Sequence, residues 1–262
     1  MTWPFENDTS GIVKRISNRS ISANRKRNIF IVLTIALASA LLSAIVLYGF
    51  GVMQETQNRN QKTAQIMYHA ISEQQGQELY KQEEIAWVGE FFNAFSEQVN
   101  HSTVNFTYAN ADMLKSQSMP YSGDLPASEN EIVVQESFLD SLGYSNELGQ
   151  TIQIPFSDGT THDFKLTGIL DVKTGDIGRY AAIISKELVR QQYGNEGMID
   201  YYIGLKGAQN MSEEEATNYA NTLAQQLKIS DDNVIVRSTY FNLKDENRGS
   251  DMLFYFLIGF IT

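Results

Sequence analysis

An uncharged stretch of twenty-five residues constrains this chain more than any other feature. It runs from Ile29 to Met53, and the basic residues Arg25, Lys26 and Arg27 lie immediately before it. At about 1.5 Å per residue, a helix of this length measures roughly 37 Å, which exceeds the hydrocarbon core of a bilayer at about 30 Å. We therefore predict a transmembrane helix over residues 29–53.

The basic cluster predicts which way the chain crosses the membrane. Lysine and arginine beside a first span usually stay in the cytoplasm, so Arg25, Lys26 and Arg27 place residues 1–28 inside and the main domain outside. Within this leader Ile12, Val13 and Ile16 lie close to helical spacing, with basic residues between them. We expect an amphipathic helix that contacts membrane lipid, and a disordered basic tail is the alternative.

A secretory signal peptide is the rival interpretation of the apolar stretch. The small residues from Ala36 to Ala40 resemble a cleavage site. A signal sequence, however, has an apolar region of only about 7–15 residues, and this one continues well beyond those alanines. Its length favours the uncleaved transmembrane helix.

A second apolar run occupies residues 252–262, where the sequence stops. Eleven residues cannot cross a bilayer, so we interpret this run as the start of a second transmembrane helix and the chain as a fragment of a longer protein. The segment between the two runs, residues 54–251, is large enough to bury its own core. It is predicted to be an extracytoplasmic domain.

The charge of the outer segment argues against nucleic acid as a partner. Six of the 20 basic residues but only two of the 31 acidic residues precede the apolar stretch, which leaves a net charge of −15 beyond it. Phosphate backbones would be repelled by such a surface. The chain has no cysteine, so its domain depends on packing rather than disulfides.

Residues 54–84 are rich in Gln and Glu and lack proline, and Ala64, Met67 and Ile71 follow at i, i+3 and i+7. This pattern predicts a helical stalk that rises from the membrane and breaks near Gly76.

A hairpin is predicted around Asp158-Gly159, because residues 151–156 and 162–166 on either side of this turn both alternate with period two. Pro155 lacks a backbone N–H, so we expect the first strand to lie at an edge of the sheet.

Other patterns complete an α+β domain. Strand composition predicts strands at 85–92, 104–108, 132–135, 181–185, 201–205 and 234–237. Helices are predicted at 136–142, 186–193 and 212–227, the last of which begins with a Ser212–Glu215 capping box. The predicted fold class is a membrane-anchored α+β protein with one transmembrane helix, a helical stalk, an extracytoplasmic α+β domain and the start of a second transmembrane helix.

Motifs for catalysis or cofactor binding are absent from the sequence. There is no phosphate-binding Gly-x4-Gly-Lys-Ser/Thr loop and no Gly-x-Ser-x-Gly, and the three histidines are scattered. We predict no catalytic residue, no cofactor, no metal site and no enzyme activity in this chain.

Several short strings resemble one known family. They are Gly123-Asp-Leu-Pro126, Asn130-Glu131-Ile-Val-Val, Leu-Gly143, Leu-Gly149-Gln-Thr-Ile and Phe-Lys-Leu-Thr-Gly168-Ile. In this order they resemble the extracytoplasmic core domain of FtsX-like, MacB-type permeases of ABC transporters. We interpret Gly123 and Pro126 as a turn into the strand at Ile132, Gly143 as a helix end and Gly149 as the turn into the hairpin.

The resemblance implies a permease subunit in the cell membrane that couples ATP hydrolysis by a separate cytoplasmic ATPase to movement of the outer domain. It also implies other permease spans or a second permease copy as partners, and peptide, antibiotic or lipid-linked cargo. The alternatives are the ligand-sensing ectodomain of a two-span receptor and a membrane-anchored binding protein.

Overall fold

The computed structural model describes residues 10–172, 179–194 and 199–242. The described residues fall into two compact units, of which the first ends at Glu55 and the second begins at Thr56. The predicted start of a second transmembrane helix, residues 252–262, lies outside the described residues.

The first unit contains α1 (Ser10–Ala23) and most of α2 (Arg25–Lys62), and the last residues of α2, from Thr56 on, belong to the second unit. Within the leader, residues 10–23 form α1, on which Ile12, Val13 and Ile16 are exposed. Contact of this helix with membrane lipid stays a prediction. Residues 25–51 of α2 are long and apolar enough to cross a membrane, judged by length and composition. The helix continues past the apolar stretch as far as Lys62.

The second unit contains one mixed sheet and short helices. Its strands are β1 (Ile66–Ile71), β2 (Ile85–Val99), β3 (Ser102–Ala109), β4 (Tyr121–Gly123), β5 (Glu131–Gln135), β6 (Thr151–Pro155), β7 (Thr161–Leu170), β8 (Arg179–Ile184), β9 (Ile199–Leu205) and β10 (Val234–Val236). Its helices are α3 (Glu73–Leu79), α4 (Ala111–Ser116), α5 (Glu136–Leu142), α6 (Lys186–Tyr193) and α7 (Glu213–Leu227), and residues 238–242 are also helical.

Among the described residues the strand order is β10-β1-β9-β2-β3-β8-β5-β7-β4, and β6 pairs with β7. The pairs β3·β8 and β5·β7 are parallel, and the other strand pairs are antiparallel. β4 and β6 follow one another along the same side of β7, since β6 pairs with its residues 161–165 and β4 with its residues 168–170. The predicted α+β class is confirmed.

The predicted helical stalk is wrong beyond Lys62. Residues 66–71 form β1, in which Ile66 and Tyr68 are fully buried while His69 faces solvent. Ala64, Met67 and Ile71 matched a helical period, but this short segment also alternates with period two. Pairing with β9 and β10 on both sides stabilises the strand.

Gly76 does not break a helix, contrary to the prediction. It lies inside α3, which begins with a capping box between Ser72 and Gln75. A Cβ atom at Gly76 would lie 2.1 Å from Cζ of Tyr201, so glycine is needed here for close packing.

The hairpin β6–β7 and its turn agree with the prediction. Gly159 has φ +86°, its N–H donates to the carbonyl of Phe156 at 3.0 Å, and the N–H of Phe156 donates to Thr160 at 2.8 Å. This is a type I turn followed by a left-handed residue, a common three-residue hairpin loop. In the described chain β6 pairs only with β7, so the strand that contains Pro155 is an edge strand.

Two large hydrophobic clusters hold the domain together. One joins β1, β9, β10 and α7, and it includes Tyr68, Tyr201 and Leu223. The other joins β3 and β5–β8 with α5 and α6, and it includes Phe106 and Phe138. Phe92 and Tyr108 pack against both clusters, so β2 and β3 connect the two halves of the sheet.

Candidate functional site

The point where α2 meets the sheet is held by a single buried glutamine. Gln65 is 1% exposed, although glutamine is rarely buried in proteins. Its N–H donates to Ile203 O at 2.9 Å, its side-chain Oε1 accepts from Leu205 N at 2.7 Å, and its carbonyl accepts from Arg237 N at 2.8 Å. Its Nε2 donates to Thr63 O.

These hydrogen bonds form what we call the helix–sheet junction, which comprises Gln65 and its partners Thr63, Ile203, Leu205 and Arg237. Only Thr63 and Ala64 separate the end of α2 from Gln65, and Ala64 is 2% exposed. An amide in an apolar interior is costly unless it is hydrogen-bonded, so this residue favours one geometry. The end of α2 is thereby fixed to β9 and to the end of β10.

A second buried polar group lies on the middle of β2. Glu90 is 4% exposed. Its Oε1 accepts a hydrogen bond from Tyr80 Oη at 2.9 Å, and its Oε2 accepts from Tyr108 Oη at 2.6 Å and from Lys186 Nζ at 2.8 Å. These donors offset the large cost of burying a carboxylate.

The same lysine connects two helices from different halves of the domain. Lys186 on α6 lies 3.2 Å from Glu73 Oε1 on α3, and Arg190 on α6 also bonds to Glu73. Burial acts to raise the pKa of Glu73, but the hydrogen bonds from Arg190 and Lys186 outweigh it and lower that pKa. The carboxylate therefore stays charged and bridges both cations. We call this set the Glu90 network: Glu73, Tyr80, Glu90, Tyr108, Lys186 and Arg190.

The electrostatics of the network keep its tyrosines protonated. The pKa values of Tyr80 and Tyr108 are raised far above the ordinary value. Burial is the largest cause, and the negative charge of Glu90 is the second. Burial and Glu90 also raise the pKa of Tyr201, whose hydroxyl is buried without a hydrogen-bond partner among the described residues. The tyrosines act as fixed hydrogen-bond donors, and the network is suited to holding α3 and α6 together.

The histidines lie apart from this network. His69 on β1 contacts Asp200 at 2.7 Å, His101 lies in the β2–β3 turn, and His162 lies on β7. In the part of the chain that the structure describes, no three His, Cys, Asp or Glu side chains are grouped so as to hold a metal ion.

The family model for the MacB-like periplasmic core domain matches residues 29–236, from the apolar stretch to the last residue of β10. This chain belongs to the MacB-like periplasmic core domain family. The resemblance seen in the sequence is thereby confirmed. The match spans the Glu90 network and the helix–sheet junction except for Arg237.

Three solved structures from bacteria resemble this MacB-like chain. The periplasmic region of MacB from Actinobacillus actinomycetemcomitans is 12% identical with a TM-score of 0.47, and the match covers 71% of this chain and 91% of that one. The extracellular domain of the noncanonic ABC-type transporter YknZ from Gram-positive bacteria is 10% identical with a TM-score of 0.48, covering 66% and 98%. A domain of a putative permease protein from Porphyromonas gingivalis is 10% identical with a TM-score of 0.43, covering 64% and 79%. Curated proteins gave no match.

Most of the predicted family-motif positions lie around β7. Gly123, the last residue of β4, pairs directly with Gly168 on β7. A Cβ atom at Gly123 would lie 2.3 Å from Thr167 O, and one at Gly168 would lie 2.6 Å from Ser122 O. The two glycines allow β4 and β7 to approach closely.

Asn130 and Glu131 lie where β5 begins beside β7. The N–H of Lys165 donates to Asn130 O at 2.7 Å. Glu131 Oε2 accepts from the N–H groups of Ala127 and Ser128 at 3.0 and 3.2 Å, and these bonds lower its pKa. Glu131 therefore fixes the turn that leads into β5.

The remaining motif positions lie at turns or in a connection. Gly143 has φ +78° at the end of α5, and Gly149 has φ +87° and donates to Leu166 O at 2.7 Å. Pro126 is half-buried in the connection between β4 and β5. Arg25, Lys26 and Arg27 are exposed in the first turn of α2, away from the other positions in sequence.

Sequence reasoning missed Gln65 and every member of the Glu90 network. One signal for Glu90 was available, because it is a lone charge in the apolar run from Ile85 to Phe92. A charge on a strand that is otherwise buried predicts a paired partner. Gln65 gave no signal, since it lies in a segment rich in glutamine.

Proposed function

We propose that this chain is the amino-terminal part of an ABC-transporter permease subunit, in which ATP hydrolysis by a separate ATPase moves an extracytoplasmic domain. The helix–sheet junction in a MacB-like core domain is the observation that carries this proposal. Because α2 continues to Lys62, and Gln65 three residues later binds β9 and the end of β10, a displacement of this end of the helix would act on the sheet. The chain itself would hydrolyse no ATP.

The proposed orientation follows from charge. Arg25, Lys26 and Arg27 stay at the cytoplasmic end of α2, and the domain from Thr56 onward lies outside the cell membrane. The partners would be a cytoplasmic ATPase, further permease spans or a second permease copy, and membrane lipid. A reporter active only outside the cytoplasm, fused at Gly159, checks this orientation, and activity from a fusion at Ser10 instead would contradict it.

The outer domain would act on cargo or on another surface protein. A peptide, an antibiotic or a lipid-linked molecule is the proposed cargo, and mechanical regulation of a surface partner is the other use of the same movement. Either use requires that the domain respond to ATP on the other side of the membrane.

The coupling can be tested in the full-length permease that contains this chain. After purification in lipid nanodiscs we expect a separate ATPase to co-purify, while the present chain alone shows no ATP turnover above background. Because this chain has no cysteine, a fluorophore can be attached at Glu147→Cys on the outer domain once any cysteine in the rest of the full-length permease has been replaced. Its signal should change on addition of ATP.

Gln65→Leu should abolish that fluorescence change while leaving ATP turnover in place, because the junction loses its side-chain hydrogen bonds. Gln77→Leu is the matched control, since Gln77 is exposed on α3, and it should behave like the wild type. The proposal would be overturned if no ATPase co-purified with the permease. It would also be overturned if the fluorescence of the wild type did not change on addition of ATP.

A further inference from the structure

A cavity of about 270 Å³ opens between β7, the long strand β2 and helix α6. Its apolar walls are Phe95, Phe156, Phe164 and Leu188. Phe164 and Leu188 are 5% and 8% exposed, so these walls are fixed parts of the core. Ligand pockets usually measure about 300–1,000 Å³, so this cavity is the size for one large side chain rather than a whole drug-sized molecule.

The aromatic walls are ordered by contacts with one another. Phe95 stacks on Phe106 with ring centroids 4.6 Å apart, and Phe156 lies 5.8 Å from Phe95. The His162 ring packs on Phe156 with centroids 4.3 Å apart, which further orders that ring. An aromatic or aliphatic side chain, or a cation over a ring face, would find a preformed surface here.

The edge of β7 beside this cavity pairs with no strand among the residues that the structure describes. The N–H of Phe156 donates to Thr160 O and the N–H of Leu166 donates to Gln150 O, so the even-numbered residues of β7 bond toward β6. Asp163 and Lys165 therefore direct their backbone groups to the opposite side. There Lys165 N–H reaches Asn130 O, but no described strand pairs with residues 161–164 on that side.

The path of the chain before β5 explains the open edge. Glu131 N–H donates to Ser128 O at 3.1 Å, and Glu131 Oε2 holds the N–H groups of Ala127 and Ser128. A turn thus precedes β5, and in the described chain no backbone hydrogen bond joins residues 125–129 to β7. Asp163 lines the cavity, and its Oδ1 accepts a hydrogen bond from Gln153 Nε2 at 3.0 Å.

The rim of the cavity favours a positive charge. Its polar lining consists of the carboxylates of Glu129 and Asp163, the imidazole of His162 and the amides of Asn130, Gln191 and Gln192, and none of the described lining residues is lysine or arginine. The two cations of α6 are engaged elsewhere, since Lys186 and Arg190 bond to Glu73 and Lys186 also bonds to Glu90.

We infer that this cavity and the adjacent edge of β7 form a docking site for a short, extended, positively charged segment of a partner protein. The segment adds as a strand beside residues 161–164 and inserts one apolar or aromatic side chain between Phe95 and Phe156. Main-chain pairing supplies affinity, while the pocket and its carboxylate rim select the side chains, as in other cases of strand addition. The site is separate from the helix–sheet junction, and binding requires no ATPase.

Fluorescence anisotropy of the full chain in lipid nanodiscs tests the site with a labelled acetyl-Lys-Val-Phe-Val-Lys-amide peptide. We expect Gln191→Trp, which narrows the cavity mouth from an exposed helix position, to weaken binding by about tenfold or more because the side-chain pocket is lost. Glu129→Gln should weaken binding by about threefold and reduce its dependence on salt. Glu147→Gln, on an exposed loop outside the cavity, is the matched control and should leave binding unchanged.

Two N-methylated peptides separate strand addition from simple apolar binding. One is methylated at residues 2 and 4 and the other at residues 3 and 5, so each blocks the N–H groups on one edge of an extended chain. Strand addition predicts that only one of them binds about tenfold more weakly than the parent, because a single edge pairs with β7.

Equal affinity of all three peptides, full affinity in Gln191→Trp, or no binding of the parent peptide at millimolar concentration would overturn the inference. Sedimentation of the chain without peptide supplies a further check. A concentration-dependent dimer that Gln191→Trp abolishes would identify a second copy as the occupant, and the partner-segment proposal would then be wrong.

Discussion

Lys186 shows at the level of one residue how a buried charge is accommodated. Its ammonium lies 2.8 Å from Glu90 and 3.2 Å from Glu73, and its side chain is 18% exposed. Lys81 makes an ion pair of similar length, 2.6 Å, with Glu78, but the two side chains are 66% and 40% exposed. The two lysines therefore differ mainly in solvation, which decides how much an ion pair contributes to the free energy of unfolding.

Lys186→Met should lower the free energy of unfolding by about 2–3 kcal/mol, because it leaves the carboxylate of Glu90 buried with only its tyrosine donors. Lys81→Met should cost at most about 0.5 kcal/mol, since its pair is solvated. Urea unfolding followed by tryptophan fluorescence measures both. Combining Lys186→Met with Glu90→Gln should recover part of the loss, and equal costs for the two single variants would contradict this account.

At the level of elements, the β6–β7 hairpin depends on one backbone conformation. Gly159 has φ +86°, and a Cβ atom built there meets nothing within 4 Å. Any cost of substitution thus comes from backbone strain rather than from a clash.

Gly159→Val should destabilise the domain by about 1–2 kcal/mol, because a β-branched side chain disfavours the left-handed region. Gly159→Asn should cost less, since asparagine adopts that region more readily. Thermal unfolding of both variants beside the wild type measures the difference. Equal melting temperatures for all three would show that the turn does not constrain the hairpin.

Elements with strong local signals were predictable from sequence. Helices α5 and α6 were predicted with the observed bounds, and α7 was placed by the Ser212–Glu215 capping box that the structure contains. β1 was not predictable in this way, because its pairing with β9 and β10 is non-local and its apolar spacing also fits a helix. α4 and β4 were missed because six and three residues are too few for a periodic pattern.

The buried polar groups were harder to predict than the fold. Turn glycines such as Gly143 have a local cause that sequence reveals. Gln65 and Glu90, by contrast, obtain their partners from residues far away in sequence, such as Leu205 and Lys186. Sequence reasoning without contacts cannot pair them.

Across the whole molecule, several ionisable groups make stability depend on pH. Interactions lower the pKa of Glu73 and Glu131 below the ordinary 4.5, so each binds a proton less readily when folded than when unfolded. Their contribution is complete above about pH 5 and is lost as pH falls through the lowered folded values. Tyr80 and Tyr108 have raised pKa values, so their contribution is present below about pH 10 and is lost above it.

We therefore expect the melting temperature to be highest between about pH 5 and pH 9 and to fall on both sides. Calorimetry from pH 3 to pH 11 measures this profile. A Glu73→Gln and Glu131→Gln double variant should lose stability mainly above pH 5 and show a flatter acid limb. If, below pH 5, the melting temperature of the double variant falls as steeply as that of the wild type, Glu73 and Glu131 are not the cause of the acid dependence. Glu147→Gln serves as the control.

The pairing of β1 with β10 makes the outer domain an insertion with adjacent ends. Ile66 lies opposite Val236 in an antiparallel register, which sets their Cα atoms only about 5 Å apart. The piece between them could be exchanged for the equivalent piece of a relative without altering the distance between the flanking segments, provided that the replacement keeps a β9 strand whose backbone binds Gln65. The architecture thus lets most of the outer domain diverge, or be grafted, as long as the helix–sheet junction is kept.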